Sequence, residues 1–262
     1  MPLDDAYANA AYIAGAETYP PKWEAAAAAF RERLATRAEV GVPYGSSDRQ
    51  VFDFFNTTKD TQGTVIFVHG GYWKAFDRSS WSHLAAGALA AGWSVAMPSY
   101  DLCPDVRISQ ITRQIAQAVQ TIAARTEGPL VLTGHSAGGH LVARMLAPGV
   151  LPDDVRARVM RVAPISPVAD LLPLLQTSMN DLFQMNETAA RSESPTQQDP
   201  PKGAQVRIWV GGDERPVFLE QAEALARAWD IENTVVPEKH HFDVIDALED
   251  AQSDIVRFLT AT

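Results

Sequence analysis

The chain has 262 residues, room for one large α/β domain, which at this size buries roughly 70–75% of the surface its unfolded chain exposes and needs no metal or disulfide staple. It carries 22 Lys and Arg against 32 Asp and Glu, a net charge of −10 with no compensating basic run, which argues against nucleic-acid and anionic-membrane partners. A single cysteine, Cys103, excludes an internal disulfide; with acids instead of a basic region at the N-terminus, this points to the cytoplasm.

Residues 1–20 are small, polar and weakly periodic and read as an arm over the domain. Pro20 and Pro21 open a helix over 22–37, rich in strong helix formers. Its alanine run, 25–29, is bracketed by Glu24 and Arg31, so it is no membrane span, and no other stretch is long and apolar enough. Gly41, Pro43 and Gly45 break the chain, 51–55 is strand-like, 59–63 turns, and the β-branched run 64–68 reads as a buried strand ending at His69-Gly70-Gly71. A helix over 79–91, capped by Ser79 or Ser80, precedes a strand at 93–98. Ile108, Ile111, Ile115, Val119 and Ile122 share one face of a helix over 108–125.

Gly128-Pro129 then turns the chain into the apolar run 130–132, and Gly134-His135-Ser136-Ala137-Gly138 follows, leading into a helix over 141–146. Beyond it come a strand at 161–166, an irregular segment over 170–201 that reads as a cap insertion, and a strand at 205–210. A helix at 217–229, a short strand at 233–236 and a last helix at 244–259 complete the pattern. Strands alternating with helices from residue 64 onward predict one α/β domain over 1–262, a mainly parallel sheet covered on both faces.

A strand, a Gly-x-Ser-x-Gly turn and a helix together form the signature of a serine held on a sharp bend, with the Ala137 N–H and the helix N-terminus aimed at a reacting carbonyl. A serine hydroxyl needs a base, and the base needs a third group to fix its tautomer. In a parallel sheet such groups lie just after strands. Asp213 does so in Gly211-Gly212-Asp213, with Glu214 a further contender, and His240 and His241 follow the last strand. The order Ser, acid, His is the one found in the hydrolases of this strand–turn–helix type. Gly70 and Gly71, leaving a strand, allow backbone N–H groups to approach an oxyanion. Tyr72, Trp73 and Phe76 are candidates for lining a substrate pocket, and Met179, Phe183 and Met185 for an apolar cover. His140 reads as a packed helix residue, His83 as a solvated one, His69 as a shaper of its loop and Cys103 as core. No histidine pair has metal-ligand spacing, so neither metal nor cofactor is expected.

On His69-Gly70-Gly71-Tyr72-Trp73, Gly134 through His140, Tyr100-Asp101-Leu102, the segment from Gly212 to Gln221 and His241-Phe242, the chain resembles the α/β-hydrolase superfamily. Within it, the chain is similar to the kynurenine formamidase (arylformamidase) and small-esterase group with a His-Gly-Gly-x-Trp loop, from about Val42 to the C-terminus. The resemblance implies Ser136 as nucleophile, Asp213 as orienting acid and His241 as base, with Gly70, Gly71 and Ala137 supplying oxyanion donors. It implies a small acyl compound as substrate: an N-formyl arylamine such as N-formylkynurenine, or a carboxyl ester or thioester. A hydrolase fold used only for binding is the reading of another class, and a homodimer is compatible with the sequence.

Overall fold

The computed structural model describes residues 1–58 and 60–261; Lys59, the first residue of the turn expected at 59–63, lies outside them. The elements, in chain order, are α1 (Tyr19–Leu34), β1 (Ala38–Pro43), β2 (Val51–Phe55), β3 (Thr64–Val68), α2 (Ala86–Ala90), β4 (Ser94–Pro98), α3 (Ile108–Arg125), β5 (Leu130–His135) and α4 (Ala137–Arg144). They continue as α5 (Asp153–Arg158), β6 (Val159–Ile165), α6 (Asn180–Phe183), α7 (Glu187–Glu193), β7 (Gln205–Gly211), α8 (Pro216–Trp229), β8 (Glu232–Val236) and α9 (Asp254–Thr260). One eight-stranded sheet has the order β1-β2-β4-β3-β5-β6-β7-β8. The pairs β1–β2 and β2–β4 are antiparallel, and β3–β4 and every pair from β3–β5 to β7–β8 are parallel. This is the mainly parallel α/β sheet that the strand–helix alternation predicts, and the α/β-hydrolase fold that the resemblance implies.

The central strands β3, β4 and β5 are buried on both faces, and their alternation divides the core in two. Ile66, Val68, Leu130 and Leu132 join the cluster under α3, α4 and α8. Val65, Phe67 and Val131 join the opposite cluster with Trp23, Phe30 and Val256 from α1 and α9. Ile111, Ile115, Val119 and Ile122 of α3 are wholly buried, each contributing about 1.5–3 kcal/mol of burial.

Several elements differ from the sequence pattern. β1 occupies the stretch expected to be a break: it is an edge strand whose register shifts between Glu39 and Val42, with Gly41 at φ 72°, and edges and bulges tolerate Gly and Pro. α5, and α6 and α7 within the segment expected to be irregular, are helices that the sequence pattern does not mark. The helix expected at 79–91 is two 3-10 turns, Arg78–Ser80 and Ser82–Ala85, followed by the short α2, and its cap is Asp77, which accepts from the Ser79 N–H at 2.7 Å. The last helix is interrupted: Val244–Glu249 is 3-10, and α9 begins afresh where the Ser253 side chain accepts from the Val256 N–H. The loop bonds Gln252 N–H to Asp250 Oδ1 (2.8 Å) and Ser253 Oγ to the Ala247 carbonyl (2.6 Å) hold that break.

Candidate active site

The C-terminal ends of β3, β5, β6, β7 and β8 converge on one edge of the sheet, and the segments leaving them carry His69, Ser136, Ser166, Glu214 and His241. Ser136 sits between β5 and α4 at φ 56°, ψ −114°, a backbone conformation that costs a non-glycine residue of order 1–3 kcal/mol and persists only where its surroundings impose it. Those surroundings are specific. The Ser136 N–H donates to the Ile165 carbonyl at 2.8 Å, and the Ser136 carbonyl accepts from the His140 N–H at 3.0 Å. A Cβ at position 138 would lie 1.9 Å from the Val68 carbonyl oxygen, so only glycine permits the turn to press against β3. Ala137 is the first residue of α4, so its N–H has no acceptor within the helix.

The loop after β3 closes over the serine from the other side. A Cβ on Gly70 would stand 2.8 Å from the His135 carbonyl and 3.2 Å from the Ser136 Cβ, a measure of how closely the Gly70 backbone approaches the hydroxyl-bearing carbon. His69 holds this loop through an Nδ1 contact with the Gly70 carbonyl at 2.7 Å and a stack on Tyr100 with centroids 4.4 Å apart; the Tyr100 hydroxyl donates to the His69 carbonyl at 2.9 Å. Burial lowers the His69 pKa to about 4. His69 therefore shapes the loop, as its sequence context indicates.

His241 lines the same cavity as Ser136, Gly70 and Gly71. It is buried between Phe218 (centroids 4.2 Å) and His135 (4.5 Å). Its Nδ1 lies 2.5 Å from Oε2 of Glu214. An ionised carboxylate only accepts, so Nδ1 carries a proton; in the neutral imidazole Nε2 then keeps the lone pair. The other carboxylate oxygen of Glu214, Oε1, accepts from the Gly211 N–H at 2.9 Å and from the Ser166 hydroxyl. Burial raises the Glu214 pKa, but the His241 charge and the hydrogen bonds from His241, Ser166 and Gly211 outweigh it and hold the carboxyl below its ordinary value.

The structure brings Glu214, not Asp213, to His241. Asp213 is exposed, and its N–H donates to the Lys239 carbonyl at 2.9 Å, while the next residue turns inward to His241. The turn bonds Gly212 N–H to Val236 and Asp213 N–H to Lys239, fixing β7 against the β8 end and setting which residue faces the imidazole. His240 is engaged elsewhere: Nε2 contacts the Tyr19 hydroxyl at 3.0 Å, and Nδ1 accepts from the Phe242 N–H at 3.1 Å. Sequence reasoning missed Ser166, at φ 46° just past β6; its position directly after a strand of the parallel sheet was the available signal.

The cavity holds about 540 Å³ and is walled largely by Trp23, Tyr72, Phe76, Trp81, Met179 and Phe242. Tyr72, Phe76 and Met179 thus lie where the sequence places them. Trp73 does not: it is fully buried in the core, edge-on to His140 and Phe183. Phe183 is core for the same reason, and Met185 borders a separate groove. His83, expected to be solvated, is buried, which lowers its pKa to about 4. His140 is packed as expected, with Nε2 2.7 Å from the Glu193 carbonyl. Buried Cys103 has its thiol pushed up to about 11, which fits packing and not nucleophilic use. Among the described residues no group of three His, Cys, Asp or Glu side chains could hold a metal ion, and no helix is long and apolar enough to cross a membrane.

The sequence profile of the alpha/beta hydrolase fold matches residues 65–239. The chain belongs to the alpha/beta hydrolase fold family. It is 29% identical over 248 residues to the kynurenine formamidase of Salmo salar, covering 87% of this chain and 83% of that protein. A candidate thioesterase of Silicibacter sp. TM1040, known from a crystal structure, is 58% identical over the full length of both chains, with a TM-score of 0.98. Esterase B of Lactobacillus rhamnosis, at 19% identity, covers 93% of this chain and 92% of its own with a TM-score of 0.69, a likeness of fold. Together with the kynurenine formamidase relatives, these matches identify the chain as a hydrolase.

Proposed function

We propose that the protein is a serine hydrolase that cleaves small acyl compounds through an acyl-enzyme, with N-formyl arylamines as its preferred substrate class. The observation that carries the mechanism is the Glu214–His241 pair beside a serine held at positive φ in one cavity. Ser136 Oγ attacks the acyl carbon as its proton passes to His241 Nε2, and the carbonyl electron pair moves onto oxygen. The Gly70, Gly71 and Ala137 N–H groups stabilise that oxyanion; one such donor contributes on the order of 3 kcal/mol in a comparable site. The intermediate collapses, the bond to the leaving atom breaks, and His241 returns the proton to it, so an amine departs neutral. Water then adds by the same route and releases the acid and Ser136. Glu214 holds the imidazole in the required tautomer and stabilises the imidazolium.

The aromatic walls of the cavity and the kynurenine formamidase relatives support an aryl leaving group. Ester or thioester cleavage is the second reading, favoured by the likeness to the candidate thioesterase. Turnover of N-formylkynurenine, of p-nitrophenyl esters of increasing chain length and of an acyl-CoA separates the two. The formamidase reading predicts the highest kcat/KM for N-formylkynurenine; a strong preference for long esters or acyl-CoA contradicts it.

A further inference from the structure

One wall of the cavity comes from the N-terminal arm, whose residues Asp4 and Tyr7 through Ala11 all border it. The arm has no strand pairing. It is held in place by bonds to three separate parts of the site. To the loop after β3, the Tyr72 hydroxyl donates to the Tyr7 carbonyl at 2.8 Å. To the segment after β6, Asp4 Oδ1 accepts from the Ser178 N–H at 2.6 Å. To the β7–α8 turn, Asp5 Oδ2 pairs with Arg215 at 3.0 Å, and the Arg215 guanidinium lies 3.5 Å over the Tyr12 ring. The Tyr7 ring packs edge-on to Phe218, whose other neighbour is His241, and the Tyr7 hydroxyl accepts from Gln221 Nε2 at 3.0 Å.

We propose that this arm is the specificity-determining wall of the site: Tyr7 and Ala8 set the depth open to the substrate, and so select compact acyl compounds over long acyl chains. The inference rests on the serine-hydrolase reading and deepens it. A groove bounded only by the sheet edge and α1 would be open on this side, whereas a rigid wall converts each additional methylene into a steric cost. In hydrophobic pockets one methylene changes discrimination by roughly 10–200-fold.

The test is the profile of kcat/KM against p-nitrophenyl ester chain length, from acetate to dodecanoate, for the full chain and two variants. Ala8→Phe fills the cavity and should move the optimum to shorter chains, with a loss of about tenfold or more on medium chains and a smaller loss on acetate. Tyr7→Ala enlarges the cavity and should move the optimum to longer chains. A merely structural role would scale every ester equally, so profiles of unchanged shape overturn the proposal. Should Tyr7→Ala fail to fold, the half-buried Ala8 position decides the question alone. Covalent labelling by a fluorophosphonate is measured alongside: absence of labelling in the unsubstituted protein rejects the serine mechanism, while labelling with an unchanged profile rejects only the role of the arm.

Discussion

The two halves of the site are built differently. The serine half stands on the central strand β5, between β3 and β6, and its geometry is dictated by neighbouring backbone: the Gly138 contact with Val68 leaves no freedom. The Glu214–His241 half hangs on turns beyond β7 and β8 at the sheet's far edge, and is assembled from side chains: Glu214 on His241, Ser166 on Glu214, Phe218 and His135 against the imidazole. Backbone geometry leaves a motif in the sequence. Side-chain convergence between distant turns leaves little trace, and a shift of one residue in a turn exchanges which carboxylate faces inward.

The largest expected effect lies in the serine half. Ser136→Ala should lower kcat by roughly 10⁶-fold with the fold intact, as deletion of the nucleophile does in a known serine protease; circular dichroism with a sensitive turnover assay checks both. Next, the acid is tested by paired variants. Glu214→Gln should cost about 10³–10⁴-fold in kcat, because an amide cannot fix the tautomer as a carboxylate does, whereas Asp213→Asn should change kcat by less than about threefold. The reverse ranking would restore Asp213. A smaller effect is expected of Ser166→Ala, which removes one donor to Glu214: a loss of about tenfold, matching roughly 1.5 kcal/mol for a hydrogen bond to a charged group, measured as kcat under saturating substrate.

The comparison also shows why the chain was partly readable. The Gly-x-Ser-x-Gly turn, the Gly70-Gly71 loop and the strand–helix alternation are local patterns, and each marks an element or close approach found in the fold. Asp213 is the acid that its place just after a strand and the resemblance point to, but Gly-Gly-Asp is also good turn chemistry, and in the fold Asp213 is a turn residue whose side chain is exposed. Trp73 follows the loop glycines, but positive φ at Tyr72 and Trp73 swings the indole into the core. His83 could not be distinguished from a solvated residue because the covering elements, α1 and the 3-10 segment Val244–Glu249, lie far away in sequence.

The smallest effect concerns stability and arises outside the reacting groups. Burial lowers the pKa of His69 and His83 to about 4 and that of His140 to about 3, from an ordinary value of 6.5. The unfolded chain therefore binds more protons than the folded one as pH falls below about 6.5. Their stabilising contribution is complete above that pH and is lost progressively toward pH 4 and 3. Urea midpoints at pH 7.5 and pH 5 should differ, and His83→Leu should reduce the difference; equal midpoints would contradict neutral burial.

The most direct test is to locate the covalent adduct formed with a fluorophosphonate by peptide mass spectrometry, comparing the native protein with His241→Ala. The account predicts one adduct, on Ser136, formed rapidly in the native protein and at least about 10³-fold more slowly once the imidazole is gone. Modification at another residue, or equal labelling rates in the two proteins, would show that His241 does not activate Ser136.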